Sequence, residues 1–414
     1  MKSSGLIVDI KAVKGQGAYY CEDLAALQRT PIKEADRWRA KGETEGFKFV
    51  REVAEVVSIG IKTVDGIWSW GDCVGVSYAG KSGREGIFRA NLGLEQIEKW
   101  VFPFLKNKTP TTFREVMGEI NLLPIHRAVK YGVSQALLKA IAFCHREEMW
   151  QTLVREWGIN TVIKRVPFQG SSGNNRVINA DKMIINRLSG LPHGQIDDIP
   201  TQLGLKGEIL LSYASALKTR IVELGDTDYF PVVHLDVHGA IGKIFENNPK
   251  RIADYVRDLE GAIRPYHLRL ESIALGNTQE ETLNLFSDIK KEMTALALTT
   301  LLVADEWANT KEDIIKVAQS GVVGMVHIKM PDLGGIEETM AAVLGVKKFK
   351  VATLLGGSCI ETDLTARVSV HVALACQPTA LLTKPGMGID ENIQIMGNEM
   401  NRALSSVISD ETLQ

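Results

Sequence analysis

The sequence predicts an α/β fold in which a (β/α)8 barrel of the TIM type follows an N-terminal α+β capping domain. One observation is the position of three carboxylates: Asp236, Glu271 and Asp305 each close a short apolar run and lie 35 and then 34 residues apart. One strand and helix of such a barrel occupy roughly 31 residues, since about 250 residues are shared among eight units. The other observation is a change of pattern near residue 160, after which apolar runs alternate with amphipathic segments. That alternation is typical of repeated strand and helix units.

The capping domain is predicted to span residues 1–160. Its strand-like segments come first and its helical segments follow, an order that is typical of an α+β domain. The strand-like segments are 49–63 and 66–80, and the helical segments are 94–106 and 128–148. No low-complexity or Pro/Gly-rich linker follows them, so we expect this domain to pack closely on the barrel.

Residues 71–88, GDCVGVSYAGKSGREGIF, are predicted to form a lid over the barrel mouth. The segment has five glycines and no apolar periodicity, which indicates a loop of defined shape. Its glycine spacing matches neither the Walker motif nor a dinucleotide-binding motif, so it does not indicate nucleotide binding. Arg84 could either reach a substrate carboxylate or fix the loop in place, and we favour the second interpretation.

The barrel domain is predicted to span residues 161–414. Eight apolar runs are predicted as its strands: VPFQGSS, LPHGQI, FPVVHLDVHG, HLRLES, TTLLVADEW, MVHIKMP, KVATLLGGS and TALLTKPG. The amphipathic segments 251–266 and 281–298 are suited to the outer helices. Side chains at the carboxyl ends of barrel strands meet at one rim, so the three carboxylates are expected to converge.

Converging carboxylates predict a magnesium site at this rim, because Mg²⁺ prefers hard oxygen ligands. Lys329 stands in the next apolar run, 24 residues after Asp305. A hydrogen beside a carboxylate is barely acidic, so its removal requires a cation where negative charge develops. A nearby cation and burial both lower the pKa of a lysine, which would let Lys329 act as the base. Alternatively, each carboxylate is a strand-end cap or a salt-bridge partner, but four residues in phase favour metal-assisted proton abstraction.

His193 is the second candidate for proton transfer. It lies at the end of the second predicted strand, directly after Pro192, where a barrel places functional groups. Imidazole takes or delivers a proton near neutral pH, although a single histidine is more often structural. His234 and His238 flank Asp236 at intervals of two and share its strand face. We expect His234 to be packed inside with a hydrogen bond, and His238 to lie over the metal.

Four stretches of the chain resemble those of methylaspartate ammonia-lyases, a branch of the enolase superfamily. The stretches are LPHGQI (191–196), LVADEWANT (302–310), IKMPDLGGI (328–336) and KPGMGID (384–390), and the resemblance runs from about Gly71 to Leu404. It implies that Asp236, Glu271 and Asp305 bind Mg²⁺. It also implies that Lys329 removes the proton beta to the amine and that His193 serves the opposite face of the substrate. The resembled family also uses potassium as an activator, but no residue of this sequence can be assigned to that ion.

The expected substrate pocket departs from that family. His327 stands where the family has a glutamine two residues before the lysine, and Leu354 stands where it has a tyrosine. A second family glutamine aligns with Ser171, although Gln169 is close enough for another alignment. The substrate-binding candidates are therefore Ser171, His327, Ser358 in place of a family threonine, and the retained Cys359 and Leu382. Cys359 is expected to be a buried wall residue rather than a nucleophile. His327 could supply positive charge for a substrate carboxylate or act as a second acid.

The expected function is that of a Mg²⁺-dependent carbon-nitrogen lyase. It would eliminate ammonia from 3-methylaspartate or a related amino acid through a metal-stabilised enolate. The alternative is a racemase, cycloisomerase or acid dehydratase, because the same enolate can be reprotonated, closed or made to expel hydroxide. A barrel retained only for binding is disfavoured, since such drift would first erode the metal ligands.

Composition favours a cytoplasmic enzyme that acts on a small molecule. The chain has 414 residues, is 45% hydrophobic and 24% charged, and carries a formal net charge of −2, so no basic surface for nucleic acid or membrane is indicated. Its start lacks the apolar core of a secretory signal, and it has no apolar run of membrane-spanning length. Its five cysteines form no CxxC pair, which argues against a disulfide framework or a zinc site. We expect a homodimer or a higher homo-oligomer.

Overall fold

A computed structural model describes residues 5–29, 32–160, 162–173, 175–196 and 198–405. In these residues a three-stranded antiparallel sheet is followed by a closed barrel of eight strands. Each pair of neighbouring strands in the barrel is parallel. The predicted fold class is therefore confirmed.

The antiparallel sheet contains β1 (Ile7–Glu22), β2 (Arg51–Thr63) and β3 (Trp68–Cys73), in that order. Strands β2 and β3 fall in the two strand-like segments, whereas β1 was not predicted. The middle of β1 from Val13 to Gln16 is exposed, so its side chains show no regular apolar alternation. Backbone pairing with β2 along most of its length holds this strand in place.

The α-helices that the structure describes in the first part are α1 (Leu24–Arg29), α2 (Ala90–Gln96), α3 (Phe102–Leu105), α4 (Phe113–Ile120), α5 (Arg127–His145) and α6 (Met149–Trp157). Of these, α2 and α5 pack on the antiparallel sheet. Helix α5 lies directly against β3, and two glycines permit this approach. A β-carbon on Gly71 would lie 2.1 Å from the Gly132 carbonyl oxygen, and one on Gly132 would lie 2.4 Å from Cys73 Sγ.

The barrel strands run in sequence order around the ring, and β11 pairs with β4 to close it. They are β4 (Phe168–Gln169), β5 (Gly190–Gln195), β6 (Val232–Asp236), β7 (Leu268–Glu271), β8 (Leu301–Ala304), β9 (Met325–Lys329), β10 (Ala352–Gly356) and β11 (Ala380–Leu382). Seven of these strands fall within the predicted runs, and β5 begins one residue before the run LPHGQI (191–196). Branched and apolar side chains fill the interior, where Val303, Met325, Leu354, Ala380 and Leu382 form one buried cluster.

The helices of the second part lie mainly outside the barrel and after its strands. They are α7 (Arg176–Ile185), α8 (Glu208–Leu224), α9 (Ala240–Ile244), α10 (Pro249–Ile263), α11 (Gln279–Ala295), α12 (Lys311–Gln319), α13 (Met330–Leu333), α14 (Ile336–Lys347), α15 (Asp363–Cys376), α16 (Ile389–Asn392) and α17 (Asn398–Leu404). Helices α10 and α11 overlap the two predicted amphipathic segments, and each begins two residues earlier and ends three residues earlier than predicted. Their buried residues recur at helical spacing, as expected for helices that cover a sheet on one side.

The predicted lid begins within β3, since Gly71–Cys73 belong to that strand, and the rest of it lies outside helices and strands. It reaches the barrel, because the Ser77 backbone N–H donates to Ser358 Oγ at 3.1 Å. The predicted domain boundary at 160/161 stays a prediction, and residue 161 itself lies outside the described residues. None of the helices in the described ranges has the length and apolar character needed to cross a membrane.

Candidate active site

Three neighbouring strands bring the predicted carboxylates together. Asp236 and Glu271 are the last residues of β6 and β7 and face each other in register, and Asp305 directly follows β8. One oxygen from each carboxylate lies within 4.8 Å of the others, and no residue of the three is more than 2% exposed. The sequence spacing thus placed all three at one point of the rim.

The surroundings of these carboxylates shift their pKa values in opposite directions. Burial, followed by the charge of Glu271, raises the pKa of Asp236 well above its ordinary value. Burial would also raise the pKa of Glu271, but His327 and His193 outweigh it and lower that pKa. For Asp305, Lys329 and Arg84 outweigh burial and lower the pKa to about 2.

The donor set is compatible with Mg²⁺. Its three carboxylates offer only oxygen atoms, which this hard ion prefers, and they are held on rigid strand ends. Asp236 contacts His238 Nε2 at 3.2 Å and has no lysine or arginine partner among the described residues. A buried carboxylate in that situation favours a divalent cation as its partner.

Lys329 is the last residue of β9, and its Nζ lies 2.6 Å from Asp305 Oδ2. Burial lowers the pKa of this lysine, as expected, but the Asp305 carboxylate outweighs burial and raises it above the ordinary value. The expected lowering is therefore not produced by the protein groups alone, because a carboxylate is the nearest charge to Nζ.

His193 is directed into the site by an irregularity of β5. The register between β5 and β6 shifts between Pro192 and Gly194, and His193 has a left-handed φ of 48°. Such a bulge turns a side chain away from the regular strand direction. The ring is 2% exposed, and its Nε2 lies 3.4 Å from Glu271 Oε2. A strand pattern predicts the position of this histidine but not the bulge that orients it.

Lys329 and His193 face each other across the barrel. They lie on its sixth and second strands, which are separated by half of the eight-stranded ring. Both line the same cavity. A molecule bound in this cavity would therefore have one candidate proton-transfer group on either side.

Three imidazoles surround Glu271. His327 Nδ1 lies 2.8 Å from Glu271 Oε1, and His234 Nε2 lies 2.8 Å from Oε2, the oxygen nearest His193. The other ring nitrogen of His234 lies 3.0 Å from the Gln169 side-chain amide nitrogen, so Nδ1 accepts and Nε2 carries the proton. Burial lowers the pKa of His234 to about 4, which keeps the ring neutral. The expected interior position of His234 with a hydrogen bond is confirmed.

The alternative alignment that involved Gln169 is disfavoured by this contact. Gln169 is fully buried and bonded to His234 inside the barrel, whereas Ser171 lies beyond the end of β4. The Ser171 backbone N–H donates to Thr383 Oγ1, while its buried hydroxyl has no hydrogen-bond partner among the described residues. Ser171 is not one of the described residues that line the cavity, so its role in substrate binding stays a prediction.

Ser358 and Cys359 follow β10 and line the cavity. Burial raises the pKa of the Cys359 thiol to about 12, which agrees with a wall residue rather than a nucleophile. The Gln195 side-chain amide lies 3.6 Å from its Sγ. Leu382, by contrast, belongs to the interior cluster and is absent from the cavity lining in the part of the chain that the structure describes, so its substrate contact also stays a prediction.

Arg84 fixes the lid to the rim. Its Nη2 lies 3.2 Å from both oxygens of Asp305, and its Nε lies 3.1 Å from Asp332 Oδ2. These contacts support the interpretation that Arg84 holds the loop in place. Asp332 was not predicted as a site residue, nor was Glu306, which accepts a hydrogen bond from Ser272. Glu306 directly follows Asp305 in the sequence, and this position beside a predicted metal ligand could have indicated it as a site residue.

Residues from both parts of the chain line the cavity. The lid contributes Val76, Ser77, Tyr78 and Arg84, and the barrel contributes His193, Gln195, Asp236, His327, Lys329, Gly357, Ser358, Cys359 and Pro385. The lid therefore forms one wall of the site. These features together define an enzyme class with the enolase-like architecture. They are a barrel with acidic strand ends, a lysine on the sixth strand and an α+β domain over the barrel mouth.

Comparison with known proteins gives the family. A family model for the methylaspartate ammonia-lyase N-terminus matches residues 6–158, and one for the C-terminus matches residues 160–408. Methylaspartate ammonia-lyase 1 of Carboxydothermus hydrogenoformans is 39% identical over 405 residues, which cover 96% of this chain and 96% of that protein. The chain therefore belongs to the methylaspartate ammonia-lyase family, and the resemblance found in the sequence is confirmed.

Solved structures agree over nearly the whole chain. The Citrobacter amalonaticus methylaspartate ammonia lyase containing (2S,3S)-3-methylaspartic acid has a TM-score of 0.93 and 35% identity, covering 97% of this chain and 99% of that one. The magnesium complex of β-methylaspartase from Clostridium tetanomorphum has a TM-score of 0.88 and 35% identity, covering 97% and 98%. The barrel and its cap are thus shared with relatives that hold this ion and this amino acid.

Proposed function

We propose that this protein is a Mg²⁺-dependent ammonia-lyase that acts on 3-methylaspartate or a related 3-substituted amino-dicarboxylate. The observation that carries the proposal is the convergence of three carboxylates beside a cavity with Lys329 and His193 on its two sides. Membership of the family supports the substrate class and the ion. So do the (2S,3S)-3-methylaspartic acid and the magnesium in the two similar crystal structures.

Asp236, Glu271 and Asp305 would hold the ion, since they are the described carboxylates whose oxygens cluster at the rim. When bound, Mg²⁺ stabilises negative charge that develops on a substrate carboxylate. Arg84 supports this set from the lid side, because it contacts Asp305 and Asp332 and so keeps Asp305 in place.

Lys329 would remove the proton from the carbon beside the distal carboxylate, and ammonia would leave from the adjacent carbon. Lys329 lines the cavity, and the contact between its Nζ and Asp305 holds the side chain in one position. His193 would serve the opposite face of the same carbon, because it reaches the cavity from the opposite side of the ring. The lid would exclude water during these steps, with Val76 and Tyr78 in the cavity wall.

We also propose a place in amino-acid metabolism and a cytoplasmic location. The place in metabolism follows from the substrate class. A homodimer or higher homo-oligomer stays part of the proposal, as do the domain limits 1–160 and 161–414.

The test is an assay of purified protein with Mg²⁺ and a panel of 3-substituted aspartates. Ammonia and the absorbance of the conjugated acid product are followed together, and Lys329→Ala provides the matched inactive protein. We expect both products to appear in equal amounts. Exchange of the substrate hydrogen with solvent but no ammonia release would instead favour the racemase alternative, which the two opposed groups also suit.

A further inference from the structure

Glu271 also belongs to a second group of possible metal ligands. His193 Nε2 lies 3.4 Å from Glu271 Oε2, and His327 Nδ1 lies 2.8 Å from Oε1. One ligand atom from each of the three residues lies within 4.8 Å of the other two, and each residue is at most 2% exposed. The group is thus as compact and as buried as the three carboxylates.

The two imidazoles are held in place by the strands that carry them. A β-carbon on Gly356 would lie 1.9 Å from His327 Nε2, so only a glycine at this position of β10 leaves room for the ring. With Nε2 packed there, Nδ1 is the nitrogen that faces Glu271. His193 is oriented by the bulge in β5, and neither of its ring nitrogens has a hydrogen-bond partner among the described residues. An unpartnered buried imidazole next to a carboxylate is a suitable metal ligand.

The chemistry of this group differs from that of the carboxylate set. Two imidazoles and one carboxylate are a common ligand set for Zn²⁺, Co²⁺ and Fe²⁺, whereas Mg²⁺ prefers oxygen ligands alone. Nitrogen ligands also favour the later divalent transition metals over earlier ones. The site rim therefore presents two sets with different preferences, and Glu271 is common to both.

We propose that His193, Glu271 and His327 form a second cation site, selective for a divalent transition metal such as Co²⁺ or Zn²⁺. The cation would take the place of the proton that lies between His327 Nδ1 and Glu271 Oε1. Because Glu271 is shared, binding there competes with Mg²⁺ for the carboxylate set. Because His193 is shared with the proposed proton transfer, the bound cation inhibits turnover.

The test is a titration of the whole protein with Co²⁺, followed by its visible absorption spectrum without substrate. We expect one tightly bound Co²⁺ per chain, and we expect added Mg²⁺ to weaken its binding. His327→Gln should lower the Co²⁺ affinity by ~10–100-fold, since even loss of a residue that only supports a ligand has an effect of this size. His267→Gln, which removes an exposed histidine, is the matched control and should leave the affinity unchanged.

Circular dichroism and the melting temperature show whether His327→Gln is folded. If it is not, X-ray absorption of Zn²⁺ bound to the wild-type protein decides, because the site requires two imidazole ligands. Wild-type Co²⁺ affinity in a folded His327→Gln protein, or a Zn²⁺ shell made only of oxygen, would overturn the proposal. These measurements need no substrate, so their outcome is separate from that of the ammonia-release assay.

Discussion

Two neighbouring carboxylates at the rim have different electrostatic surroundings. Glu271 contacts three imidazoles, and His327 and His193 lower its pKa despite burial. Asp236 contacts His238, while burial and the charge of Glu271 raise its pKa. Of the three rim carboxylates, Asp236 is therefore the one whose ionised form the rest of the protein stabilises least. We thus expect Asp236 to serve function at a cost in stability.

Asp236→Asn should separate the contribution of Asp236 to function from its cost in stability. We expect the variant to lose Mg²⁺-dependent ammonia release, because one of the three oxygen ligands of the carboxylate set is replaced. In Mg²⁺-free buffer near neutral pH its melting temperature should rise, because burial and Glu271 raise the pKa of Asp236 in the folded protein, and such a carboxyl group opposes folding at any pH above its pKa in the unfolded chain. Scanning calorimetry with and without Mg²⁺ measures both states. A lower melting temperature in Mg²⁺-free buffer would contradict the electrostatic argument.

Lys329 and His193 should be distinguishable by the face on which each acts. Lys329→Ala should stop exchange of the substrate hydrogen with deuterium for one stereoisomer, and His193→Ala should mainly affect the other, since the two lie half a ring apart. Nuclear magnetic resonance of each stereoisomer in deuterated buffer follows the exchange. Wild-type exchange on both faces in Lys329→Ala would show that this lysine is not the base.

The residues predicted to bind the substrate differ most from those of the resembled family. His327 and Ser171 stand where amide side chains are expected, so we predict that 3-methylaspartate is a poor substrate of the wild-type protein. The double variant Ser171→Gln with His327→Gln should raise kcat/KM for 3-methylaspartate by up to ~10–100-fold, if each regained hydrogen bond contributes about 1 kcal/mol or slightly more. Steady-state kinetics on both proteins measures this. A wild-type kcat/KM of ~10⁴ M⁻¹s⁻¹ or more for 3-methylaspartate would refute it.

At the level of elements, the barrel could be predicted because its units repeat. Asp236, Glu271 and Asp305 were found from spacing alone, since each unit has nearly the same length and ends at the same rim. Strand β1 could not be found in this way, because its middle is exposed and its stability comes from backbone pairing with β2. The same holds for the bulge at His193, which depends on the register with β6 rather than on the residues of β5.

Long-range contacts were the other limit of the sequence. Nothing in the segment around Arg84 indicates that its guanidinium pairs with Asp305 and Asp332, more than 200 residues away in each case. Similarly, the hydrogen bond between Gln169 and His234 joins side chains of β4 and β6 inside the barrel, and neither strand pattern indicates it. The candidate substrate-binding residues were chosen only from the resemblance to the family. Leu382 illustrates the limit of that choice, because the structure places it in the barrel interior.

The contact between the lid and the rim should contribute to stability. Arg84→Ala removes the guanidinium from Asp332 and leaves Asp305 with Lys329 alone, and breaking a buried ion pair typically costs about 3–5 kcal/mol. Bound Mg²⁺ should reduce this cost, because it offsets the charge of Asp305. Denaturant unfolding in Mg²⁺-free and Mg²⁺ buffers measures the difference.

Arg257→Ala is the matched control for Arg84→Ala. Arg257 pairs with Asp254 at 2.8 Å, but both side chains are more than 40% exposed. Its loss should change the free energy of unfolding by no more than about 0.5 kcal/mol. Equal effects of the two variants would show that the lid contact carries no special stability.

At the level of the whole molecule, buried polar contacts join the capping part to the barrel. Tyr131 OH on α5 donates to Glu361 Oε1 at 3.0 Å, and Lys384 Nζ lies 3.1 Å from Glu361 Oε2. All three residues are fully buried. The Trp150 indole N–H on α6 also donates to the Ala403 carbonyl on α17. Loss of either part would leave such groups unpaired, so we infer that the two parts unfold together.

A substitution confined to the barrel tests this inference. Tyr229 OH donates to the Leu188 carbonyl at 2.7 Å, so the hydrogen bond joins two barrel residues. Tyr229→Phe should cost about 1 kcal/mol and lower the melting temperature by about 1–3 °C. Six of the seven tryptophans precede residue 160, so tryptophan fluorescence reports mainly on the capping part, while circular dichroism reports on the whole chain. We expect both signals to shift by the same amount in Tyr229→Phe, because a cooperative unit transmits the loss to every element. A fluorescence transition that stays at its wild-type temperature while the circular dichroism transition moves would mean that the cap unfolds independently of the barrel that it covers.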